Sequence, residues 1–450
     1  MSPLSDTAKT LVVGLGKTGL SCARYLRSQG IATAVTDSRE NPPGLQQLRD
    51  EMPEVAVFVG GFAPEAFSAA ARLVVSPGVP VSDPLIRDAS ARGVEVVGDV
   101  ELFARAAQAP ICAITGSNGK STVTTLVGQM AAAAGQRVCV GGNLGEPALD
   151  LLDASTQRYV LELSSFQLET TFSLHADVAV VLNVSADHMD RYPDLDAYAQ
   201  TKGRIYRGAR VAVVNRDDPI VVAMPRDAAL KIGFTLGEPT DSDFGLRIHD
   251  GARWLCRGTQ PLMPASEVRI AGLHNLANAL AALALASGCG LPMEQSCAVL
   301  RRFSGLPHRS ELVAERDGVL WYDDSKGTNP GATVAALEGL IPPGSTGRAV
   351  LIAGGEGKGA DFSPLRSAVK RTTRAVVLIG RDAGLIAQAL DGEVPLLEAA
   401  NMQDAVARAA EIARPGDTVL LSPACASFDM FESYEHRGRV FAEAVRGLGT

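Results

Sequence analysis

The chain has 450 residues, enough for about three domains of ordinary size. Hydrophobic residues make up 46% of it and charged residues 20%, with a net charge of −8, so large cores can form, while an acidic chain without a Lys/Arg-rich block excludes a broad nucleic-acid-binding face. The seven scattered cysteines form no Cys-x-x-Cys pair or disulfide framework, no apolar run reaches membrane-span length, and Met1 to Asp6 lack the regions of a secretion signal, so a cytoplasmic protein with no membrane partner is expected.

The first block opens with an apolar strand over residues 10–13, the turn Gly14-Leu15-Gly16-Lys17-Thr18-Gly19, and a helix to about residue 28. Further strands are predicted at 33–36, 55–59, 73–75 and 94–97. Strands alternating with helical stretches indicate a parallel sheet. Asp37 follows the second strand, the spacing of a dinucleotide-binding fold. The same turn suits NAD or another diphosphate, because either presents a pyrophosphate to a helix end.

The second block carries the strongest signal. The apolar run 111–114 leads into Thr115-Gly116-Ser117-Asn118-Gly119-Lys120-Ser121-Thr122, and a helix is predicted over 123–134. A strand, a glycine turn, a lysine, hydroxyls and a helix make a phosphate cradle, in which Lys120 adds charge and Ser121 can hold Mg²⁺. No glycine stands five positions before Gly119, so the loop is shorter than the common P-loop. A second phosphate loop favours a diphosphate-linked substrate over NAD at the first turn. Later strands are predicted at 159–163, 178–183 and 211–215, antiparallel hairpins over 243–272, and helices over 275–287 and 293–303. Glu162 ends a strand, where a carboxylate can meet Mg²⁺ beside phosphates, and Asp187-His188 follow the next.

The third block is predicted to have strands at 319–322, 349–353, 375–379 and 418–421. Three turns rich in glycine or hydroxyls follow strands in it: Asp323 to Pro330, Gly354 to Phe362 and Ser422 to Asp429. Their lysines and hydroxyls suit a small carboxylate substrate or a nucleotide phosphate. At one sheet edge they would make a binding face.

Along its whole length the chain resembles the Mur ligases of bacterial cell-wall synthesis. The short phosphate loop, the Glu162 strand, Asp187-His188, Gly272 to Asn278 and Leu306-Pro307-His308-Arg309 carry the resemblance. Gly14 to Gly19, Asp324 to Asn329 and Ser422 to Ser427 are similar to the branch that adds D-glutamate. The resemblance implies an α/β fold of three domains. These are a Rossmann-like domain at 1–98 for the UDP-linked substrate, a central P-loop ATPase domain with added antiparallel strands at 99–304, and a Rossmann-like domain at 305–450 for D-glutamate.

It also implies ATP, Mg²⁺ at two sites, and ligation of D-glutamate to UDP-N-acetylmuramoyl-L-alanine through an acyl phosphate. Gly116, Ser117, Asn118, Gly119, Lys120, Ser121, Thr122, Asn275, Arg309, Asp324 and Lys326 would meet ATP. Leu15, Lys17, Thr18, Asp37, Ser38, Arg39, Ser76, Asn143 and His188 would meet the UDP-linked substrate. Thr328, Lys358, Ser427, Phe428 and Tyr434 would hold D-glutamate. Lys120, Glu162, His188 and Lys202 would be catalytic. Ser121, Glu162, His188 and a carbamylated Lys202 would bind metal, since a carbamate ligates Mg²⁺ and an ammonium cannot. A monomer is expected. The rival readings are a folylpolyglutamate synthetase, an NAD-dependent oxidoreductase and a non-catalytic ATP sensor.

Overall fold

The computed structural model describes residues 9–225, 228–341 and 344–448, so the reading of Met1 to Asp6 lies outside the described residues. It is an α/β molecule with three sheets.

The first sheet has five parallel strands: β1 (Thr10–Val13), β2 (Thr33–Thr36), β3 (Ala56–Phe58), β4 (Arg72–Val75) and β5 (Glu95–Val97), in the order β3-β2-β1-β4-β5. The order reverses at β1, and a crevice outside the carboxyl ends of strands at such a point is where an open α/β sheet binds ligands. Helix Lys17–Ser28 starts there and packs so close that a Cβ on Gly19 would lie 1.9 Å from the Gly14 carbonyl oxygen.

The central sheet has nine strands: β6 (Ile111–Thr115), β7 (Val138–Gly142), β8 (Arg158–Glu162), β9 (Val178–Val181), β10 (Val211–Asn215), β11 (Leu230–Phe234), β12 (Phe244–His249), β13 (Ala252–Arg257) and β14 (Gln260–Pro264). Their order is β14-β13-β12-β11-β10-β9-β6-β8-β7. Strands β6 to β11 run parallel, and β12, β13 and β14 form the expected antiparallel extension. Every residue of β6 is buried, because helices cover both faces of a parallel sheet. On one face helix Leu273–Gly288 packs against helix Lys120–Ala133. Its leucines and alanines from Ala279 to Ala286 are all fully buried, so its apolar richness is core packing.

The third sheet holds β15 (Glu311–Arg316), β16 (Val319–Asp323), β17 (Ala349–Gly354), β18 (Thr373–Ile379), β19 (Leu396–Glu398) and β20 (Thr418–Leu421), in the order β15-β16-β20-β17-β18-β19. It is parallel except for the β15–β16 pair. The three turns singled out above leave β16, β20 and β17, which are adjacent, so they share one sheet edge.

The structure differs from the predicted elements in two ways. The helix after the phosphate loop begins at Lys120, not at 123, because Gly119 in the left-handed region (φ 83°) turns the chain straight into it. Strands β7, β11, β15 and β19 were not predicted; three of them lie at sheet edges and all carry partly exposed residues, which interrupt an apolar run. Among the described residues all seven cysteines are free, and no helix is long and apolar enough to cross a membrane.

Candidate active site

The phosphate loop joins β6 to helix Lys120–Ala133. It needs its glycines: Gly116 (φ 156°) and Gly119 (φ 83°) lie where side chains are strained, and a Cβ on Gly119 would meet Asn278 Oδ1 at 2.3 Å. Lys120 Nζ curls over the loop and donates to the carbonyls of Gly116 and Ser117, each at 2.9 Å. Lys202, from helix Leu195–Gly203, donates to the same Gly116 carbonyl at 2.9 Å. Lys202 is 1% exposed and packs on the Tyr198 ring, 4.5 Å from its centroid. Among the described residues no carboxylate pairs with it. Burial, then the Lys120 charge, holds its ammonium well below the usual lysine range. Burial also lowers Lys120. Partly buried Lys120 and buried Lys202 thus face one carbonyl, a crowding of two amines that an anion would relieve.

Glu162 ends β8 beside the loop and is 2% exposed. Its Oε1 accepts from Asn143 Nδ2 at 2.6 Å, but Oε2 is buried without a hydrogen-bond partner. A bare buried carboxylate oxygen beside a phosphate loop and a hydroxyl fits a hard cation such as Mg²⁺. Ser121, the hydroxyl in question, accepts from Arg309 Nη2 at 2.7 Å across the central and third units. His188 (φ 58°) packs edge-on against Phe166, and its Nε2 lies 3.7 Å from Asp187 Oδ2. Burial lowers its pKa, with Asp187 opposing, so a neutral imidazole with a free lone pair is favoured near neutrality.

Two recesses adjoin these groups. One, of about 290 Å³, is lined by Asn118, Gly119, Thr122 and Asn275 from the central unit and by Arg309, Asp324 and Lys326 from the third. The other, of about 110 Å³, is lined by Asp187 and His188 together with Thr328, Asn329 and Lys358. Asp324 accepts from Ser422 Oγ at 2.7 Å, and burial pushes its carboxyl up to about 7. Lys326 Nζ lies 3.8 Å from the Tyr434 ring centroid, and burial pulls it down to about 8. Lys358 Nζ lies 5.8 Å from the centroid of Phe428, which is 67% exposed, while Ser427 is buried.

The residues expected at the first unit gather around the Gly14 turn. Asp37 accepts from Leu15 N at 2.7 Å, and from Arg39 through both its backbone and its guanidinium. Against the effect of burial, those bonds keep its carboxylate below the usual range. Ser76 Oγ donates to the Gly14 carbonyl at 3.0 Å. Lys17 reaches the central unit at Glu146 (3.3 Å) and at the Gly145 carbonyl (2.9 Å). Thr18 is partly exposed, while Ser38 and Asn143 are exposed. Leu15 is fully buried, with its N–H given to Asp37 and its carbonyl accepting from Gly44 N at 3.1 Å, so it shapes the turn from within.

Several connecting residues escaped the sequence reading. Asn329 donates to Asn118 Oδ1 at 3.2 Å and to Asp187 Oδ2 at 3.1 Å while capping helix Pro330–Leu340. Arg191 lies over Phe166, pairs with Glu169 at 2.6 Å and donates to the Pro77 carbonyl of the first unit at 2.9 Å. Arg437, 1% exposed, binds Ser325 and the carbonyls of Cys425 and Ala426, tying two of the three turns together. Asn329 stood inside a turn already singled out; nothing local marks Arg437 as buried.

The chain matches the Mur ligase MurD-like N-terminal domain at residues 8–98, the Mur ligase middle domain at 114–286 and the Mur ligase glutamate ligase domain at 308–425. It is 55% identical over 448 residues to the UDP-N-acetylmuramoylalanine–D-glutamate ligase of Marinobacter nauticus, covering 100% of both chains. It is 56% identical over 438 residues to the protein of the same name from Pseudomonas putida, covering 97% of both. Among solved structures, MurF of Acinetobacter baumannii is similar in fold (TM-score 0.60, 18% identity, 98% of this chain and 95% of that one). So is the UDP-N-acetylmuramate-alanine ligase MurC of Thermotoga maritima (TM-score 0.59, 17% identity, 97% and 99%).

Proposed function

The chain belongs to the Mur ligase family, and on that premise we infer that it joins D-glutamate to UDP-N-acetylmuramoyl-L-alanine at the expense of ATP, in the synthesis of peptidoglycan precursors. The observation that carries the reading is one cleft. Its two recesses set phosphate-loop residues Asn118 and Gly119, and then Asp187 and His188, against the turns at the carboxyl edge of the third sheet.

A carboxylate is a poor acylating agent because oxide is a poor leaving group. The alanyl carboxylate oxygen therefore attacks the γ-phosphorus of ATP, the bond to the β-phosphate oxygen breaks, and ADP leaves. The D-glutamate amine then adds to the acyl carbon of the acyl phosphate. The tetrahedral species loses phosphate and the amine's proton, leaving an amide. Positioning and charge neutralisation supply most of such catalysis. Lys120, Arg309 and Lys326 bring positive charge to the phosphates, Asn118, Gly119, Thr122, Asn275 and Asp324 frame the nucleotide recess, and Gly116 and Ser117 complete the loop that wraps the phosphates.

The UDP-linked substrate lies along Leu15, Lys17, Thr18, Asp37, Ser38, Arg39 and Ser76, with Asn143 and His188 near its acyl end. Thr328, Lys358, Ser427, Phe428 and Tyr434 hold D-glutamate, Lys358 by a carboxylate. Ser121, Glu162, His188 and Lys202 would hold Mg²⁺ at two sites, Lys202 as its carbamate. When bound, Mg²⁺ supplies charge neutralisation at the phosphoryl oxygens. Lys202 suits carbamylation: carbon dioxide adds to a neutral amine with loss of a proton, and the burial of Lys202 beside Lys120 favours that neutral amine. The proposed domain limits are 1–98, 99–304 and 305–450, and the proposed working form is a cytoplasmic monomer.

Phosphate release from ATP and Mg²⁺, with UDP-N-acetylmuramoyl-L-alanine and each glutamate enantiomer, tests the reading. Release is expected only with all components and the D enantiomer. Equal rates with L-glutamate, or release independent of the UDP-linked substrate, would overturn it.

A further inference from the structure

Arg309 reaches from the third unit to Ser121 on the phosphate-loop helix. Its backbone setting is unusual, because His308 (φ 61°) and Ser310 (φ 47°), on either side, both adopt left-handed conformations that disfavour side chains. Such a conformation persists only when its surroundings hold it. Two consecutive acids at the end of β16 do so. Asp323 Oδ2 lies 2.6 Å from His308 Nδ1, and Asp324 Oδ1 accepts from Ser310 N at 3.1 Å. The His308 carbonyl in turn accepts from Lys326 N at 3.1 Å, and Glu311 accepts from His308 N at 2.9 Å.

The His308–Asp323 pair is built into the fold from the far side as well. Gly438, in helix Tyr434–Gly447, sits directly over it. A Cβ there would lie 2.2 Å from His308 Nδ1 and 2.5 Å from Asp323 Oδ2. Asp323 is 1% exposed, and its other oxygen accepts from Ser325 N at 2.9 Å, so this carboxylate is spent on internal bonds. The pair lines a separate recess with Arg439 and Arg446, not the nucleotide recess.

We propose that Asp323 and His308 are positioning residues for the reaction: with Gly438 leaving room for them, they lock the backbone on one side of Arg309 so that its guanidinium points at the phosphate-loop helix. Asp324 locks the other side while also facing the nucleotide recess. The inference rests on the reading of Arg309 as an ATP contact.

A double-mutant cycle on affinity for the β,γ-imido analogue of ATP, read by titration calorimetry, tests it. His308→Ala is expected to weaken binding about tenfold, with the KM for D-glutamate within about twofold of the parent. In an Arg309→Ala background the same substitution is expected to cost less than about twofold, because the residue it positions is gone. Asp323→Asn repeats the cycle should His308→Ala fail to fold, and Gly438→Ala is expected to reproduce the ATP-selective loss. An equal loss with and without Arg309, or a loss shared evenly among the three substrates, overturns the proposal. The reading beneath it has its own readouts. Phosphate release by the parent tests the ligase activity, and Arg309→Ala alone tests the ATP contact. Unchanged affinity in that single variant would remove both the contact and the proposed role.

Discussion

Lys202 shows how a single residue can be misjudged in isolation. In sequence it is a helix lysine with no motif of its own; in space it is buried against the phosphate loop, donating to the Gly116 carbonyl and packing on the Tyr198 ring, with no carboxylate paired to it among the described residues. Burying an unpaired ammonium costs several kcal/mol unless the group loses its charge or acquires a partner. Carbamylation does both, replacing a cation by an anion beside Lys120. Lys202→Ala is expected to lower kcat by about 10²-fold or more, on the scale of losing one electrostatic contact in a closed site. Added acetate or another short carboxylate should restore part of the rate. A fully active Lys202→Ala enzyme, or one whose loss no carboxylate relieves, argues against the role.

At the scale of elements, legibility followed burial. Strands covered on both faces, such as β6 and β9, are uninterrupted apolar runs and were readable from sequence. Edge strands β7, β15 and β19 mix exposed positions into a short segment and were not. Candidate site residues could be proposed from the turns after readable strands, whereas Arg437 and Asn329 act through contacts made by other elements. Helix Leu273–Gly288 holds a further case. His274 lies in its first turn, wedged between elements: a Cβ on Gly339 of helix Pro330–Leu340 would lie 2.4 Å from its Nδ1. That nitrogen is buried without a hydrogen-bond partner, and burial pulls the imidazole down to about 4. The helix N-terminus, positive in its own right, also opposes protonation there. The unfolded chain takes up the proton near pH 6.5, so between pH 6.5 and 4 it binds more protons than the native state and stability falls with pH, by about 3 kcal/mol in full. The free energy of unfolding should fall between pH 7.5 and 5 by about 2 kcal/mol more in the parent than in His274→Gln. Equal slopes would show that His274 does not supply this dependence.

On the proposed reading the whole molecule works only if its three units meet, since the residues assigned to the UDP-linked substrate, to ATP and to D-glutamate are drawn from three different sheets. The first unit is tied to the central one through the shared core beneath β1 and β6, and through Arg191 at the Pro77 carbonyl. The third is tied to it through polar contacts: Arg309 with Ser121, and Asn329 with both Asn118 and Asp187. Hydrogen bonds of this kind contribute about 1 kcal/mol each, which suits an interface that must open to exchange nucleotide. Asn329 is the place to test closure, because Asn329→Asp retains an oxygen to cap helix Pro330–Leu340, where the present side chain accepts from Ala332 N. It also sets a second carboxylate against Asp187, at a position where the amide nitrogen now lies 3.1 Å from Oδ2. Two like charges at that separation cost several kcal/mol when water is excluded, and the cost falls only on arrangements in which the third unit touches the central one as it does here. With ATP and the UDP-linked substrate present, the parent should contract in small-angle scattering. Asn329→Asp should keep the larger radius of gyration of the free enzyme, retain its thermal midpoint within a few degrees, and lose about 10²-fold in kcat/KM for D-glutamate. A variant that contracts like the parent would show that these contacts report closure without sustaining it.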